Sequence, residues 1–165
     1  MVRVASSGVI TLVKQRHRNG CGVACLAMAT DQTYGQALSQ MYPQRQSHDR
    51  VACNIISLQA GLRKNQKEMR AVVETDWRKV SEPALLWLKF GSKMDHVVIW
   101  DPDSRKILDP IGVRYPKSFY RKWLFMILPI NNLPHTHLRG TDWPASPQLV
   151  FPAVPAQSRP HGSRE

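Results

Sequence analysis

A cysteine between two glycines, Cys21, stands at the start of a run of small apolar residues (22–30) that is typical of a helix. The first turn of a helix leaves backbone N–H groups unpaired and carries the positive end of the helix dipole. Both features stabilise negative charge, and the thiolate is the form of cysteine that acts as a nucleophile. Cys21 is therefore the candidate nucleophile of this chain.

A base for this thiol is predicted in the second half of the chain, where His96 opens an apolar run and Asp109 follows the next one. Residues 101–104, between the two runs, read Asp-Pro-Asp-Ser, which is typical of a type I turn and predicts a β-hairpin. With the turn centred near residues 102–103, strand partners have numbers that sum to about 205, which places His96 opposite Asp109 to within a residue or two. A carboxylate there holds an imidazole in the tautomer that accepts a proton from a thiol.

Two further residues are candidates for this site, an acid and an amide. Asp101 is the rival acid, but it lies on the same predicted strand as His96 at an odd spacing, so it should point to the other face, about 16 Å away. Gln15 precedes the cysteine, and its amide could form an oxyanion hole with the backbone N–H of Cys21. Each residue alone has a plainer interpretation, such as a buried core cysteine or a turn dipeptide. Their joint order favours a papain-like thiol site.

The elements that must position these residues follow from periodicity and from turn signals. Three helices are predicted first, with Gly61 near the end of the third as its terminator. Short apolar runs of strand length come afterwards, with one amphipathic helix before the last of them. The predicted helices are 22–30, 33–42, 51–62 and 117–123, and the predicted strands are 71–73, 84–90, 96–100, 106–108 and 124–130. Helices followed by an antiparallel sheet indicate an α+β domain.

Length and composition set the broad class. A chain of 165 residues with ordinary apolar content is long enough for one domain with a buried core. We expect this domain to cover residues 1–130. Six prolines interrupt residues 131–165, which we interpret as an extension whose end is disordered.

Charge and cysteine content restrict the partners. The net charge of +11 is spread along the chain and is weak evidence for nucleic acid. We find neither zinc-ligand spacing nor an RNA-binding signature, and we expect no specific nucleic acid, no metal and no cofactor. Three cysteines cannot all pair within one chain, which favours a reducing compartment. No apolar stretch is long enough to cross a membrane, so a soluble, cytoplasmic protein without a membrane partner is expected.

At these residues the sequence resembles the bacteriocin-processing cysteine peptidases. These papain-like domains stand at the front of double-glycine-leader transporters and also occur as stand-alone relatives. The resemblance starts at Gln15, continues through Cys-Gly-x-Ala-Cys-Leu-Ala-Met at residues 21–28, and covers about residues 10–130. It includes His-Val-Val-Ile at residues 96–99 and Leu-Asp-Pro-Ile-Gly at residues 108–112.

The resemblance implies a papain-like fold, with N-terminal helices packed on an antiparallel sheet, and a role for each candidate. Cys21 would be the nucleophile and His96 the general base and then the general acid. Asp109 would be the orienting carboxylate and Gln15 the oxyanion donor. The implied reaction is hydrolysis of a peptide bond in a peptide or protein substrate through an acyl-thioester enzyme.

The sequence departs from the family pattern at several points. Gly20 stands where the family usually carries an aspartate, and the hairpin after His96 is shorter than in the transporter domains. No membrane or nucleotide-binding region follows in this chain, so we do not expect coupling to peptide export or double-glycine leader specificity to carry over. The missing aspartate and the basic surface suggest a different substrate. A substrate with acidic segments is one candidate.

Two other classes of function are compatible with the same residues. One is a thiol enzyme that is not a peptidase, such as a glutamine deamidase or an amide or acyl transferase. The other is a non-catalytic binding module that retains the fold. Release of ammonia would separate the first from a peptidase, and an unreactive Cys21 would indicate the second.

Overall fold

The computed structural model describes residues 9–45, 51–52, 54–91 and 94–133. Within them, three helices precede a five-stranded antiparallel sheet, and a fourth helix precedes its last strand. The elements are α1 (Cys21–Thr30), α2 (Tyr34–Met41), α3 (Ile55–Lys64), β1 (Lys67–Met69), a 3-10 helix (Trp77–Lys79), β2 (Ala84–Phe90), β3 (Met94–Asp101), β4 (Lys106–Leu108), α4 (Lys117–Trp123) and β5 (Leu124–Asn132). The predicted α+β class is confirmed.

Polar side chains fix where α2 and α3 begin. Thr33 forms a capping box with Gln36: its hydroxyl oxygen accepts from the Gln36 backbone N–H, and the Gln36 side chain accepts from the Thr33 backbone N–H. The side-chain oxygen of Asn54 accepts from the backbone N–H groups of residues 56 and 57. These bonds satisfy donors that the helices cannot pair internally.

The third helix differs from its predicted range of 51–62 at both ends. It begins after Asn54, because an asparagine N-cap is a stronger start signal than an apolar residue such as Val51. The prediction that Gly61 ends the helix is wrong, since α3 continues to Lys64. Gly61 instead permits close packing, because a Cβ atom built there would lie 2.5 Å from Cδ2 of Leu26 in α1.

The sheet has the strand order β1-β5-β2-β3-β4, and all neighbouring strands are antiparallel. Central strand β2 pairs with β3 along its whole length. The predicted strand at 71–73 is wrong: Val72 makes an isolated bridge to Ile127, and Val73 is 98% exposed. The edge strand is β1, a few residues earlier, because its backbone extends the ladder of β5.

Alternating side chains divide the core between the two faces of the sheet. Val97 and Ile99 are fully buried on one face, in the cluster that contains the apolar residues of α1. Val98 and Trp100 are buried on the other face, with Tyr120 of α4. This period of two fixes the face of every β3 side chain. His96 therefore shares the face of Val98 and α4.

The β3–β4 hairpin forms as predicted, but its register differs by two. Ile99 pairs with Leu108 and Asp101 with Lys106, so partner numbers sum to 207 and not to about 205. The connection is longer than a turn centred on residues 102–103 would give. It ends at Arg105, whose φ of 54° lies in the left-handed region.

None of the helices in the described ranges is both long and apolar enough to cross a membrane. The last strand continues to Asn132, two residues beyond the predicted end of the domain at 130. Residues 134–165, which make up most of the predicted extension, lie outside the described residues, as does Cys53.

The contact between Gly61 and Leu26 gives a test of the packing that holds α1. Because Leu26 is fully buried, its side chain has little room to yield to an added methyl group. We expect Gly61→Ala to lower the free energy of unfolding by about 1–3 kcal/mol, measured by urea denaturation.

The matched control is Gly35→Ala on α2, where an added Cβ atom meets nothing within 4 Å. Alanine is the better helix former, so this variant should be as stable as the wild type or up to about 1 kcal/mol more stable. Equal effects of the two substitutions would show that the α1–α3 contact is not tight.

Candidate active site

The candidate site lies at an edge of the sheet. β4 pairs only with residues 99–101 of β3, so the first half of β3, which carries His96, has no described strand on that side. The first turn of α1, which carries Cys21, approaches this half of β3. One turn further along α1, the thiol of Cys25 donates a hydrogen bond to the backbone carbonyl of Val97, 3.4 Å away.

His96 and Asp109 are in direct contact. The Nε2 atom of His96 lies 2.8 Å from Oδ1 of Asp109, and the side chain of His96 is 14% exposed. In the observed register, extrapolation of the hairpin places Asp109 opposite Val98, so the contact with His96 is a diagonal one on the same face. Diagonal neighbours in antiparallel pairs are within reach of long side chains, which explains why the shift of two does not separate them.

Asp109 is buried, and three donors surround its carboxylate. Oδ1 also accepts from the backbone N–H of Ile111 at 3.1 Å, and Oδ2 accepts from the hydroxyl of Tyr120 at 3.2 Å. Such an arrangement suits an ionised acid, because a carboxylate accepts through both oxygens. Burial and the charge of Asp109 raise the pKa of Tyr120 to about 12, so Tyr120 remains a donor.

Asp101, the rival acid, has a different role. It lies on the opposite face from His96 and is 1% exposed. Its carboxylate accepts from the backbone N–H of Asp103 at 3.1 Å and from the hydroxyl of Ser104 at 2.6 Å. Asp101 thus closes the turn of the hairpin.

His96 also lies close enough to Cys21 for the thiol to act on the pKa of its ring through hydrogen bonding and charge. Because Asp109 occupies Nε2, Nδ1 is the ring nitrogen that remains for the thiol. Burial lowers the pKa of His96, but the hydrogen bonds to Asp109 and Cys21, together with their charges, outweigh burial and raise the pKa to about 9. The imidazole is therefore protonated at neutral pH, which is the state that pairs with a thiolate.

The two cysteines of α1 differ in their environments. Cys21 is the first residue of the helix, and its N-cap, Gly20, makes no side-chain capping bond. The helix provides no acceptors for the N–H groups of its own first turn, so these groups face whatever negative charge develops there. Cys25 is fully buried, and burial, followed by the charges of Cys21 and Asp109, raises the pKa of its thiol.

Gln15 anchors the segment before Cys21. Its backbone N–H donates to the carbonyl of Pro110 at 2.9 Å, which joins this segment to the loop after Asp109. Its side-chain Nε2 donates to the carbonyls of His17 and Arg18, both at 3.1 Å. Its Oε1 is buried and has no hydrogen-bond partner among the described residues. In this state the amide of Gln15 stabilises the turn at His17 and Arg18.

The site thus contains contacts that the sequence did not indicate. Tyr120 lies on a helix that was predicted correctly, but its contact with Asp109 depends on how α4 packs on the sheet. Tyr34 of α2 forms a second polar pair with His17 of the segment before Cys21, with Nδ1 of His17 2.9 Å from the Tyr34 hydroxyl. An aromatic residue on a short amphipathic helix is predicted to be a core residue, so no local signal could have identified the polar contacts of either tyrosine.

Two solved peptidase domains share the fold of this chain. A double-glycine motif protease from an AMS/PCAT transporter, in complex with the leader peptide, superposes with a TM-score of 0.55 at 18% identity, covering 78% of this chain and 96% of the other. The peptidase domain of Streptococcus ComA, a bi-functional ABC transporter involved in quorum sensing, gives a TM-score of 0.50 at 18% identity, with coverage of 76% and 99%. The chain has the double-glycine peptidase fold. No family model matches the sequence, and no curated protein gives a significant match.

The predicted resemblance to double-glycine peptidases is therefore confirmed for the fold. At this level of identity the neighbours do not assign chemistry, and the roles of Gln15, Cys21, His96 and Asp109 stay predictions.

Helix α1 places Cys21 and Cys25 one turn apart in different environments, which gives an internal comparison. We expect iodoacetamide at about pH 7 to alkylate Cys21 at least about 10-fold faster than Cys25, because only Cys21 is paired with a protonated imidazole. Peptide mapping by mass spectrometry measures both rates in one sample.

The His96→Ala variant is the control for this rate difference. It removes the imidazolium and should slow the alkylation of Cys21 towards that of an ordinary thiol, while Cys25 stays protected. Equal rates at the two cysteines, or a Cys21 rate that His96→Ala leaves unchanged, would contradict the pairing.

Proposed function

We propose that the protein is a cysteine peptidase that hydrolyses a peptide bond through Cys21, His96 and Asp109, with Gln15 as an oxyanion donor. The observation that carries the proposal is the position of His96, which forms a hydrogen bond with Asp109 and lies close enough to Cys21 for the two groups to influence each other. This pairing lies at the N-terminus of α1, in a fold shared with peptidase domains.

The proposed reaction begins with attack of the Cys21 thiolate on the carbonyl carbon of the scissile bond. The carbonyl oxygen becomes an oxyanion, which the first-turn N–H of Cys21 and the amide of Gln15 would stabilise. His96 then gives its Nδ1 proton to the leaving amine as the C–N bond breaks and an acyl thioester forms. Neutral His96 next takes a proton from water, and the hydroxide attacks the thioester. The C–S bond of the thioester then breaks, the carboxylic acid product leaves, and the Cys21 thiolate is regenerated beside protonated His96.

Asp109 would act through His96 in both steps. Its hydrogen bond at Nε2 leaves Nδ1 directed towards the thiol, and its charge stabilises the imidazolium. To serve as a donor to the oxyanion, Gln15 must redirect one N–H of its amide from the carbonyl of His17 or Arg18 towards the substrate.

We propose a peptide or protein substrate with acidic residues near the scissile bond. One structural neighbour holds a leader peptide, which supports a peptide ligand for this fold. The segment that leads to Cys21 carries exposed Arg16 and Arg18, and residues 1–30 contain neither Asp nor Glu. Positive charge beside the nucleophile would attract carboxylates of a substrate. A reactive Cys21 needs a reducing environment, so we propose a cytoplasmic location.

Hydrolysis can be tested with a library of peptides whose amino termini are blocked, because every cleavage then creates a new free terminus for mass spectrometry. We expect cleavage by the wild type, with cut peptides enriched in Asp and Glu. Cys21→Ala should abolish cleavage, and Asp109→Ala should lower kcat by about 100-fold or more.

Matched controls exist for both residues. Cys25→Ala removes the neighbouring thiol of the same helix, and Asp103→Ala removes an exposed carboxylate from the hairpin turn. Both variants should still cleave peptides. Ammonia release from glutamine without new termini would replace the peptidase by a deamidase, and neither product would indicate a binding module.

A further inference from the structure

A partly buried polar cluster of the described residues has no role in the reaction proposed above. It consists of Tyr34, His17 and Arg45 and adjoins residues 15–20, which we name the nucleophile loop. The hydroxyl of Tyr34 lies 2.9 Å from Nδ1 of His17, and Nη2 of Arg45 lies 3.3 Å from Nε2 of the same ring. Tyr34 is 2% exposed, although it is the first residue of α2.

The direction of the hydrogen bonds follows from the chemistry of the groups. A guanidinium can only donate, so Nε2 of His17 accepts from Arg45, and Nδ1 then carries the proton and donates to the Tyr34 oxygen. The backbone N–H groups of Arg16 and His17 act on the same oxygen and lower the pKa of Tyr34. Burial raises the pKa of Tyr34 and outweighs the effect of these donors, so the hydroxyl remains neutral.

The same hydroxyl occupies the space beside Gly20. A Cβ atom built on Gly20 would lie 2.1 Å from the Tyr34 hydroxyl oxygen and 3.2 Å from its Cζ atom. A side chain at position 20 and the hydroxyl therefore exclude each other. Because the Tyr34 hydroxyl fills this space, position 20 has room for a glycine and not for the aspartate of the family pattern.

We propose that Tyr34 is a positioning residue for peptide hydrolysis: its hydroxyl fixes the nucleophile loop and thereby sets where Gln15 and the N–H of Cys21 meet the oxyanion. The inference rests on the proposed function. Tyr34 acts through the loop and does not itself take part in the chemistry.

The path from Tyr34 to the oxyanion donors is short. The amide of Gln15 is bound to the carbonyls of His17 and Arg18, so a displacement of the loop at these residues moves Gln15 with it. The capping box at Thr33 holds the start of α2, and so gives Tyr34 a rigid support. Small errors in the placement of catalytic groups are costly, because a displacement of about 1 Å can reduce a rate about 100-fold.

Tyr34→Phe removes the hydroxyl and keeps the ring. We expect kcat for peptide hydrolysis to fall about 10-fold or more, with KM within about two-fold of the wild type. Alkylation of Cys21 by iodoacetamide should stay within about two-fold, since this displacement at a saturated carbon forms no oxyanion. Hydrogen exchange at the amides of Arg16 and His17 should become faster.

Tyr42→Phe is the matched control. Tyr42 follows α2 directly, and its hydroxyl donates to the carbonyl of Ala52, which is not part of the nucleophile loop. We expect this variant to hydrolyse peptides as the wild type does, and to leave exchange at the amides of Arg16 and His17 unchanged.

Gly20→Ala supplies a second test that does not depend on a single variant. Alone it should lower kcat, because its methyl group displaces the Tyr34 hydroxyl. Tyr34→Phe removes the hydroxyl oxygen, and the ring atom nearest to a Cβ atom at position 20 is then Cζ, at 3.2 Å. Gly20→Ala should therefore lower kcat less in the Tyr34→Phe background than in the wild type.

The outcomes separate the two proposals. A wild type that cleaves no peptide overturns the proposed function and, with it, this role of Tyr34. If the wild type cleaves but Tyr34→Phe retains full kcat, or if alkylation of Cys21 falls as much as kcat, only the positioning role is overturned. Strictly additive effects of the Gly20 and Tyr34 substitutions would show that a side chain at position 20 and the Tyr34 hydroxyl do not compete for the same space. This result would also contradict the positioning role of Tyr34.

Discussion

The hydrogen bond between His96 and Asp109 is the interaction on which the rest of the site depends. Without it, only the influence of Cys21 would oppose the burial that lowers the pKa of His96. With it, the ring is held as a cation with Nδ1 left for the thiol. Burial of Asp109 among the Ile111 N–H, the Tyr120 hydroxyl and His96 is what makes this possible, since no donor alone would compensate a buried carboxylate.

The fold supplies this arrangement from separate elements. α1 places Cys21 at a helix N-terminus, the uncovered half of β3 presents His96, and the loop after β4 returns Asp109 to the same face. α4 covers that face with Tyr120, while α2 supports the nucleophile loop through Tyr34. The site therefore requires contacts between residues far apart in sequence, and its precision depends on packing that no single element provides.

Local signals predicted much of this architecture. The spacing of apolar residues gave α4, β2 and β4 with their observed bounds, and the alternation of β3 separated His96 from Asp101 correctly. Tertiary packing decided the rest. Gly61 looked like a helix end but serves the contact with Leu26, and the hairpin register shifted by two because the loop is longer than the turn motif suggests. The parts played by Tyr120 and Tyr34 could not be predicted, because aromatic residues on amphipathic helices look the same whether their hydroxyls are used or not.

The measurement that tests the central claim most directly is an NMR titration of the His96 ring between about pH 5 and pH 10. The account predicts that the wild-type ring stays protonated until about pH 9, against an ordinary value of 6.5. In Asp109→Asn the hydrogen-bonded charge is lost while burial remains, so the pKa should fall markedly. A wild-type ring that titrates at or below 6.5, or one that Asp109→Asn leaves unchanged, would contradict the account.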